Sequence, residues 1–144
     1  MKALLQRVKK ASVSIEQKKV SSIQEGLLLF LGISSKDTLQ KIDPLVNKIL
    51  HLRIFSDEED KMNLSVLEKK YAILVVSQFT LYANCEKGRR PSFIEAAKPE
   101  MAFPLYEEFL KKMSQKVEVK TGKFGAKMEV ELINDGPGTF LLEV

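Results

Sequence analysis

The chain has one cysteine and one histidine among its 144 residues, and these two shortages remove most familiar catalytic kits. Cys85 alone cannot form an internal disulfide, which points to a reducing compartment. A recognisable zinc site draws three or four ligands from Cys, His and carboxylates at characteristic spacings. One of each is too few, so no metal and no cofactor are expected. His51 lies inside a helical apolar pattern and reads as a packing or surface residue. A Ser-His-Asp or Cys-His arrangement would need it beside a nucleophile, and there is no Gly-x-Ser-x-Gly elbow or phosphate-cradling Gly-rich loop. The acidic run Asp57-Glu58-Glu59-Asp60 lacks the ligand spacing of a calcium loop. The longest apolar run, Leu27 to Leu31, is far short of the ~20 residues a membrane span requires, and the N-terminus lacks the order of a signal peptide. A cytoplasmic chain without a membrane role is expected.

What is present suffices for a core. Hydrophobic residues make up 44% of the chain, enough for one domain over residues 1–144 without disulfide staples. Lys and Arg outnumber Asp and Glu 23 to 19, a net charge of +4, which mildly favours a polyanionic partner. The cations cluster at Lys9-Lys10, Lys18-Lys19, Lys111-Lys112, Lys87 with Arg89-Arg90, and the spaced series Lys116, Lys120, Lys123 and Lys127. Any one of these clusters also reads as solvated surface.

Along the chain, residues 2–33 read as strands: alternation through Val8, Val13 and Ile15, a polar turn at Glu16-Gln17-Lys18, and a run opened by Gly26. Asp37 and Thr38 offer caps to a helix carrying Leu39, Ile42, Leu45, Val46, Ile49 and Leu52. Pro44 either kinks that helix or marks its first turn with Asp43 as cap. Tyr71 to Phe79 is the most strand-like segment, and its β-branched density places it mid-sheet. A polar, basic loop spans Asn84 to Ser92. A second helix follows, with Pro99 near its start and Met101, Leu105, Phe109 and Met113 on one face. The last third returns to strands at Val117–Thr121, Met128–Leu132 and Thr139–Val144. This predicts one α+β unit, mainly antiparallel.

Two stretches break strands that should simply have been buried. Ser77-Gln78-Phe79-Thr80 ends the run Ala72 to Val76 with three hydrogen-bonding side chains, and Asn134-Asp135-Gly136-Pro137-Gly138-Thr139 puts a Gly-Pro step before the last strand. Buried unpaired polar groups cost roughly 1–3 kcal/mol each, so these groups must be bonded, solvated or used. An enzyme built this way must work with hydroxyls, amides and backbone groups on a labile or self-assisting substrate.

Together with Gln6-Arg7-Val8, Leu52-Arg53-Ile54-Phe55, Lys61-Met62-Asn63-Leu64-Ser65, Lys87-Gly88-Arg89-Arg90-Pro91-Ser92-Phe93 and Thr121-Gly122-Lys123-Phe124-Gly125-Ala126, the two stretches closely resemble the D-aminoacyl-tRNA deacylases of the D-Tyr-tRNA deacylase type. The resemblance runs from end to end. Ser-Gln-x-Thr alone would be weak; paired with Asn-x-x-Pro-x-Thr at this separation it is highly specific. It implies mainly antiparallel sheets in a barrel-like arrangement with two main helices, and a homodimer. It implies hydrolysis of the ester that joins a D-amino acid, or glycine, to tRNA, releasing both.

By the same resemblance, Ser77, Gln78, Phe79 and Thr80 line the catalytic pocket, with backbone N–H groups near Phe79 and Thr80 meeting the oxyanion and the substrate's 2′-hydroxyl assisting. Gly136-Pro137, joined by a cis bond and held by Arg7, reaches the partner subunit's site and excludes L side chains. Only about 5–6% of X-Pro bonds in folded proteins are cis, so this expectation rests on the resemblance. Lys87, Arg89 and Arg90 meet tRNA phosphates. Thr80 reads as nucleophile or positioning group, and the lack of a neighbouring base favours positioning. Gly138 departs from the family's usual valine, which predicts extra backbone freedom and a looser gate. Two alternatives remain: a non-catalytic module that binds tRNA ends, and a purely structural dimer in which Ser77 and Thr80 merely cap strands.

Overall fold

The computed structural model describes residues 1–144. A long strand β1 (Lys2–Ile15) turns at Glu16-Gln17 into β2 (Lys18–Ile23), and β3 (Gly26–Gly32) follows. Both turn residues have positive φ, 49° and 63°, as a tight two-residue hairpin demands. Then come α1 (Ile42–His51), the small ribbon β4 (Phe55–Ser56) and β5 (Met62–Leu64), the short α2 (Val66–Lys69), β6 (Ala72–Ser77), α3 (Pro99–Ser114), β7 (Val119–Thr121) and β8 (Glu129–Glu143).

β1 is the hub of the main sheet. It pairs antiparallel with β2, β3 and β8, while β3–β6 and β6–β7 are parallel. Ser21 Oγ donates to the Thr121 carbonyl at 2.7 Å and draws β2 towards β7, so the sheet curls into a nearly closed barrel. The parallel pair accounts for the unbroken apolar runs, because both its faces are covered. Leu27, Leu29, Leu31, Ile73 and Val75 pack under the helices with Phe109 and Met113. Leu28, Leu74 and Val76 point the other way, into the barrel with Val8, Val13 and Ile23.

Several local expectations need revision. Pro44 stands in the first turn of α1, but Lys41 rather than Asp43 occupies the cap position and makes no side-chain cap bond. Proline is tolerated there because a first-turn N–H has no helical acceptor. Met101 is partly exposed while Ala102 is buried, so the buried face of α3 is Ala102, Leu105, Phe109 and Met113. Phe79 falls outside β6, in a 3-10 turn over Phe79–Tyr82. The two C-terminal segments form one strand, β8. α2 escaped the periodicity because it is a single turn, closed by a capping box in which Ser65 and Glu68 bond reciprocally.

Asp37 caps no helix. Its carboxylate, fully buried, accepts from the Met1 α-ammonium at 2.7 Å, the Ser34 N–H at 2.7 Å and Lys41 Nζ at 2.9 Å. Burial alone would push this carboxyl up, yet these donors outweigh it and hold it below its ordinary value. Burial lowers the Met1 ammonium even so, because one carboxylate does not replace its lost hydration.

A depressed carboxyl stabilises the fold above its unfolded value of about 3.9, and the contribution vanishes as pH falls through the folded value. Asp37→Asn should therefore cost about 3–5 kcal/mol at pH 7. The gap to wild type should narrow below pH about 4, as read by urea unfolding at both pH values. An unchanged gap at low pH would remove the charge from the explanation.

Candidate functional site

The parallel pair ends where its apolar residues run out. Leu31 lies opposite Ser77, and the Gln78 N–H continues the ladder to the Leu31 carbonyl at 2.8 Å. The chain then turns: Leu81 N–H is bonded to the Gln78 carbonyl at 3.3 Å. The Phe79 and Thr80 N–H groups precede it and have no acceptor within the turn. Gly32 permits this turn to sit on β3, since a Cβ there would lie 3.0 Å from Leu81 Cβ and 3.2 Å from the Gln78 carbonyl oxygen. The Gln78 side-chain amide donates to Thr80 Oγ1.

Ser77, Gln78 and Phe79 line a mostly apolar pocket of about 450 Å³, walled by Leu31, Ala97, Ala102, Phe124, Gly125 and Met128 among others. Thr80 is exposed beside it. Nothing titratable lines this pocket. His51 is on the outer face of α1, its Nδ1 2.9 Å from the Asn47 carbonyl oxygen, and Cys85 is exposed on the basic loop. Burial pushes the Tyr106 phenol up to about 12, which leaves it protonated near neutral pH. No group of three or more His, Cys, Asp and Glu is placed to hold a metal ion. The pocket can shape an apolar group and present hydroxyl, amide and N–H donors; it offers no general base.

Phe79 is 55% exposed and meets Phe93 edge to face, ring centroids 5.0 Å apart. Phe93 follows directly on the basic loop, which Asn84 and Ser92 pinch shut with reciprocal backbone bonds of 2.8 and 2.9 Å. The structure thus brings the base of the basic loop to Phe79, and Lys87, Arg89 and Arg90 are exposed along that loop.

It does not bring Gly136 and Pro137 there. Gln6 pairs with Thr139 and Val8 with Asn134. β8 therefore spends Asp135 to Gly138 opposite the single residue Arg7, and these residues leave the ladder as a large bulge. Arg7 lies opposite Leu27, at the other end of β3 from Leu31, and no residue of the bulge lines the Ser77 pocket. Arg7 is no surface cation. It is 8% exposed, donating from Nη1 to the Ile54 carbonyl at 2.6 Å and from Nε to the Asp135 carbonyl at 2.9 Å. Gly136, at φ 135°, has no room for a side chain, since a Cβ would fall 2.6 Å from Arg7 Nη2. The Gly136-Pro137 peptide bond is cis, and both residues are exposed.

Gly138 is buried and held from both sides. Its N–H donates to Asn134 Oδ1 at 2.6 Å, and Asn134 Nδ2 donates to its carbonyl at 3.2 Å and to Thr139 Oγ1 at 3.1 Å. Its φ lies outside the left-handed region. The freedom expected of a glycine here is taken up by the Asn134 carboxamide.

Sequence reasoning missed the 122–127 loop as a pocket wall and missed Asn134 as a clamp. Phe124 is legible only through its partners: its ring packs 5.2 Å from Phe103 and 5.3 Å from Tyr106, pinning the loop to α3. The strand–Gly122-Lys123–strand pattern announces a turn and nothing about the cavity behind it.

Comparison with known proteins agrees with this architecture. Residues 4–143 match the family described as D-Tyr-tRNA(Tyr) deacylase. Curated relatives include D-aminoacyl-tRNA deacylases of Geobacillus sp. (strain WCH70), 54% identical over 99% of this chain and 95% of that protein, and of Clostridioides difficile (strain 630), 52% identical over 99% and 97%. Among solved structures, a c-Myc DNA unwinding element binding protein is 44% identical, with a TM-score of 0.95 covering 100% of this chain and 99% of that one. A probable eukaryotic D-amino acid tRNA deacylase, 19% identical, shares the fold with a TM-score of 0.84 over 99% and 98%. The chain belongs to the D-Tyr-tRNA(Tyr) deacylase family.

Proposed function

We propose that this protein hydrolyses the ester of D-aminoacyl-tRNA, and of glycyl-tRNA, as a homodimer in which each subunit's Gly136-Pro137 bulge completes its partner's pocket. The observation that carries this reading is the separation just described. The pocket that begins at Ser77 has hydrogen-bond donors and apolar walls, and no residue of its own chain's bulge contributes to it. The tip of the bulge, Gly136 and Pro137, is exposed, braced by Arg7 and Asn134, and does not reach the Ser77 pocket of its own chain.

The chemistry fits a substrate that brings its own assistance. An aminoacyl ester beside a vicinal ribose hydroxyl is already activated, so a site that orients water and stabilises the oxyanion suffices. The Phe79 and Thr80 N–H groups supply the oxyanion donors in this reading. The 2′-hydroxyl takes the place of the absent protein base. Selection works by exclusion: the partner's bulge occupies the space of an L side chain, and glycine has none to exclude. Thr80 acts as a positioning group, since no base is near and its Oγ1 already accepts from Gln78. The basic loop beside Phe93 holds tRNA phosphates, and the reaction belongs to the cytoplasm, where charged tRNA is used.

Three measurements test the reading. D-Tyr-tRNA should be deacylated in EDTA while matched L-Tyr-tRNA survives; loss of neither, with tRNA still bound, would favour a non-catalytic tRNA-end binding module. Thr80→Ala should lower kcat roughly ten- to a hundredfold, whereas complete loss of turnover in a folded protein would make Thr80 the nucleophile. Asn134→Ala should free Gly138 and raise the rate on L-Tyr-tRNA relative to D-Tyr-tRNA; an unchanged ratio would remove Asn134 from the gate.

A further inference from the structure

The basic loop is not the only source of cations at the Ser77 pocket. Ala97 and Pro99 both line it, which puts Lys98 between two wall residues at the start of α3. Phe124, Gly125 and Ala126 line it as well, and Lys123 and Lys127 flank that stretch on either side. Packing of Phe124 against Phe103 and Tyr106 fixes this loop to the same helix that Lys98 precedes. All three lysines are exposed.

Most of the chain's cations make no ion pair, and these three are among them. Lys111, Lys112 and Lys120 each meet a carboxylate, at 3.6, 3.1 and 3.2 Å. Lys98, Lys123 and Lys127 meet none, although Glu95, Glu100 and Glu129 lie nearby in sequence, and the same holds for Lys87, Arg89 and Arg90. Lys98, Lys123 and Lys127 thus flank wall residues of an apolar pocket that itself carries no charge, and the basic loop joins that pocket through the contact of Phe93 with Phe79. Such a field attracts a polyanion whose uncharged end enters the pocket, and a free amino acid has no use for it.

We propose that Lys98, Lys123 and Lys127 form a second phosphate-binding rim, which with the basic loop straddles the RNA strand leading into the pocket. The ligand is the sugar-phosphate backbone near the aminoacylated end. The rim lysines position the strand and carry no base specificity. This rests on the tRNA reading above and adds three residues and a two-part footprint to it.

The test compares wild type, Lys98→Gln and the double variant Lys123→Gln/Lys127→Gln, with Lys48→Gln on the exposed side of α1 as a control. Each is assayed on full D-Tyr-tRNA and on a D-tyrosyl ester of adenosine, which has no phosphate backbone. With tRNA, the rim variants should raise KM at unchanged kcat. The slope of log affinity for uncharged tRNA against log salt should weaken by about 0.7 for each phosphate of the single strand that is no longer neutralised. The adenosine ester should be cleaved as by wild type, and Lys48→Gln should behave as wild type throughout.

Unchanged salt slopes in the rim variants would overturn the proposal. So would an equal effect of Lys48→Gln, which would mean net charge alone, or an equal loss on the adenosine ester, which would mean a defect in the pocket. Should wild type cleave neither ester, the deacylase reading fails by itself, and the salt slopes with uncharged tRNA still decide the rim.

Discussion

Everything in this protein is arranged around two adjacent parallel strands that carry no polar side chain until they end. β3 and β6 are buried on both faces, so one face must be covered by helices and the other by the curl of the sheet. Crossing from β3 to β6 and from β6 to β7 puts α1 and α3 on the same side, and the long β1 wraps the remainder of the barrel. A strand pair this apolar has one place for hydrogen-bonding groups, its C-terminal edge, where Ser77 and Gln78 appear and where the pocket opens. The location of the candidate site is a consequence of how the core is built.

The second organising feature is the mismatch between β1 and β8. Pairing resumes on either side of Arg7, so the four residues opposite it must leave the sheet, and their backbone groups lose ladder partners. Buried carbonyls without partners cost free energy, and Arg7 meets this cost with donors to Asp135 and Ile54. Asn134 does the same for Gly138, its carboxamide standing in for a neighbouring strand. An exposed Gly-Pro tip is thereby held on a braced base.

Much of this was legible beforehand because periodicity and chain punctuation report local structure. The strands of the first third, the α3 start at Pro99, the mid-sheet position of β6 and the two polar breaks all follow from alternation, helical spacing and the placement of polar residues. Asp37 reads as a cap because Asp before a helical pattern is the standard signal; its three donors come from Met1, Ser34 and Lys41, and the first is remote in sequence. Met101 and Ala102 exchanged roles because helical spacing leaves the rotation of α3 on the sheet open by about one residue.

The amino-acid sequence by itself determined the class of chemistry and its components. With one histidine, one cysteine and two polar motifs at strand breaks, it confined function to hydroxyls, amides and backbone donors, and its motifs carried the family resemblance. Tertiary structure decided the arrangement: that Ser77 and Gly136 lie apart in one chain, that Arg7 and Asn134 brace the same bulge, and that the start of α3 and the 122–127 loop wall the same pocket. The reason is physical. Composition and spacing act over a turn or a strand, whereas register, burial and the meeting of remote side chains exist only once the sheet has closed.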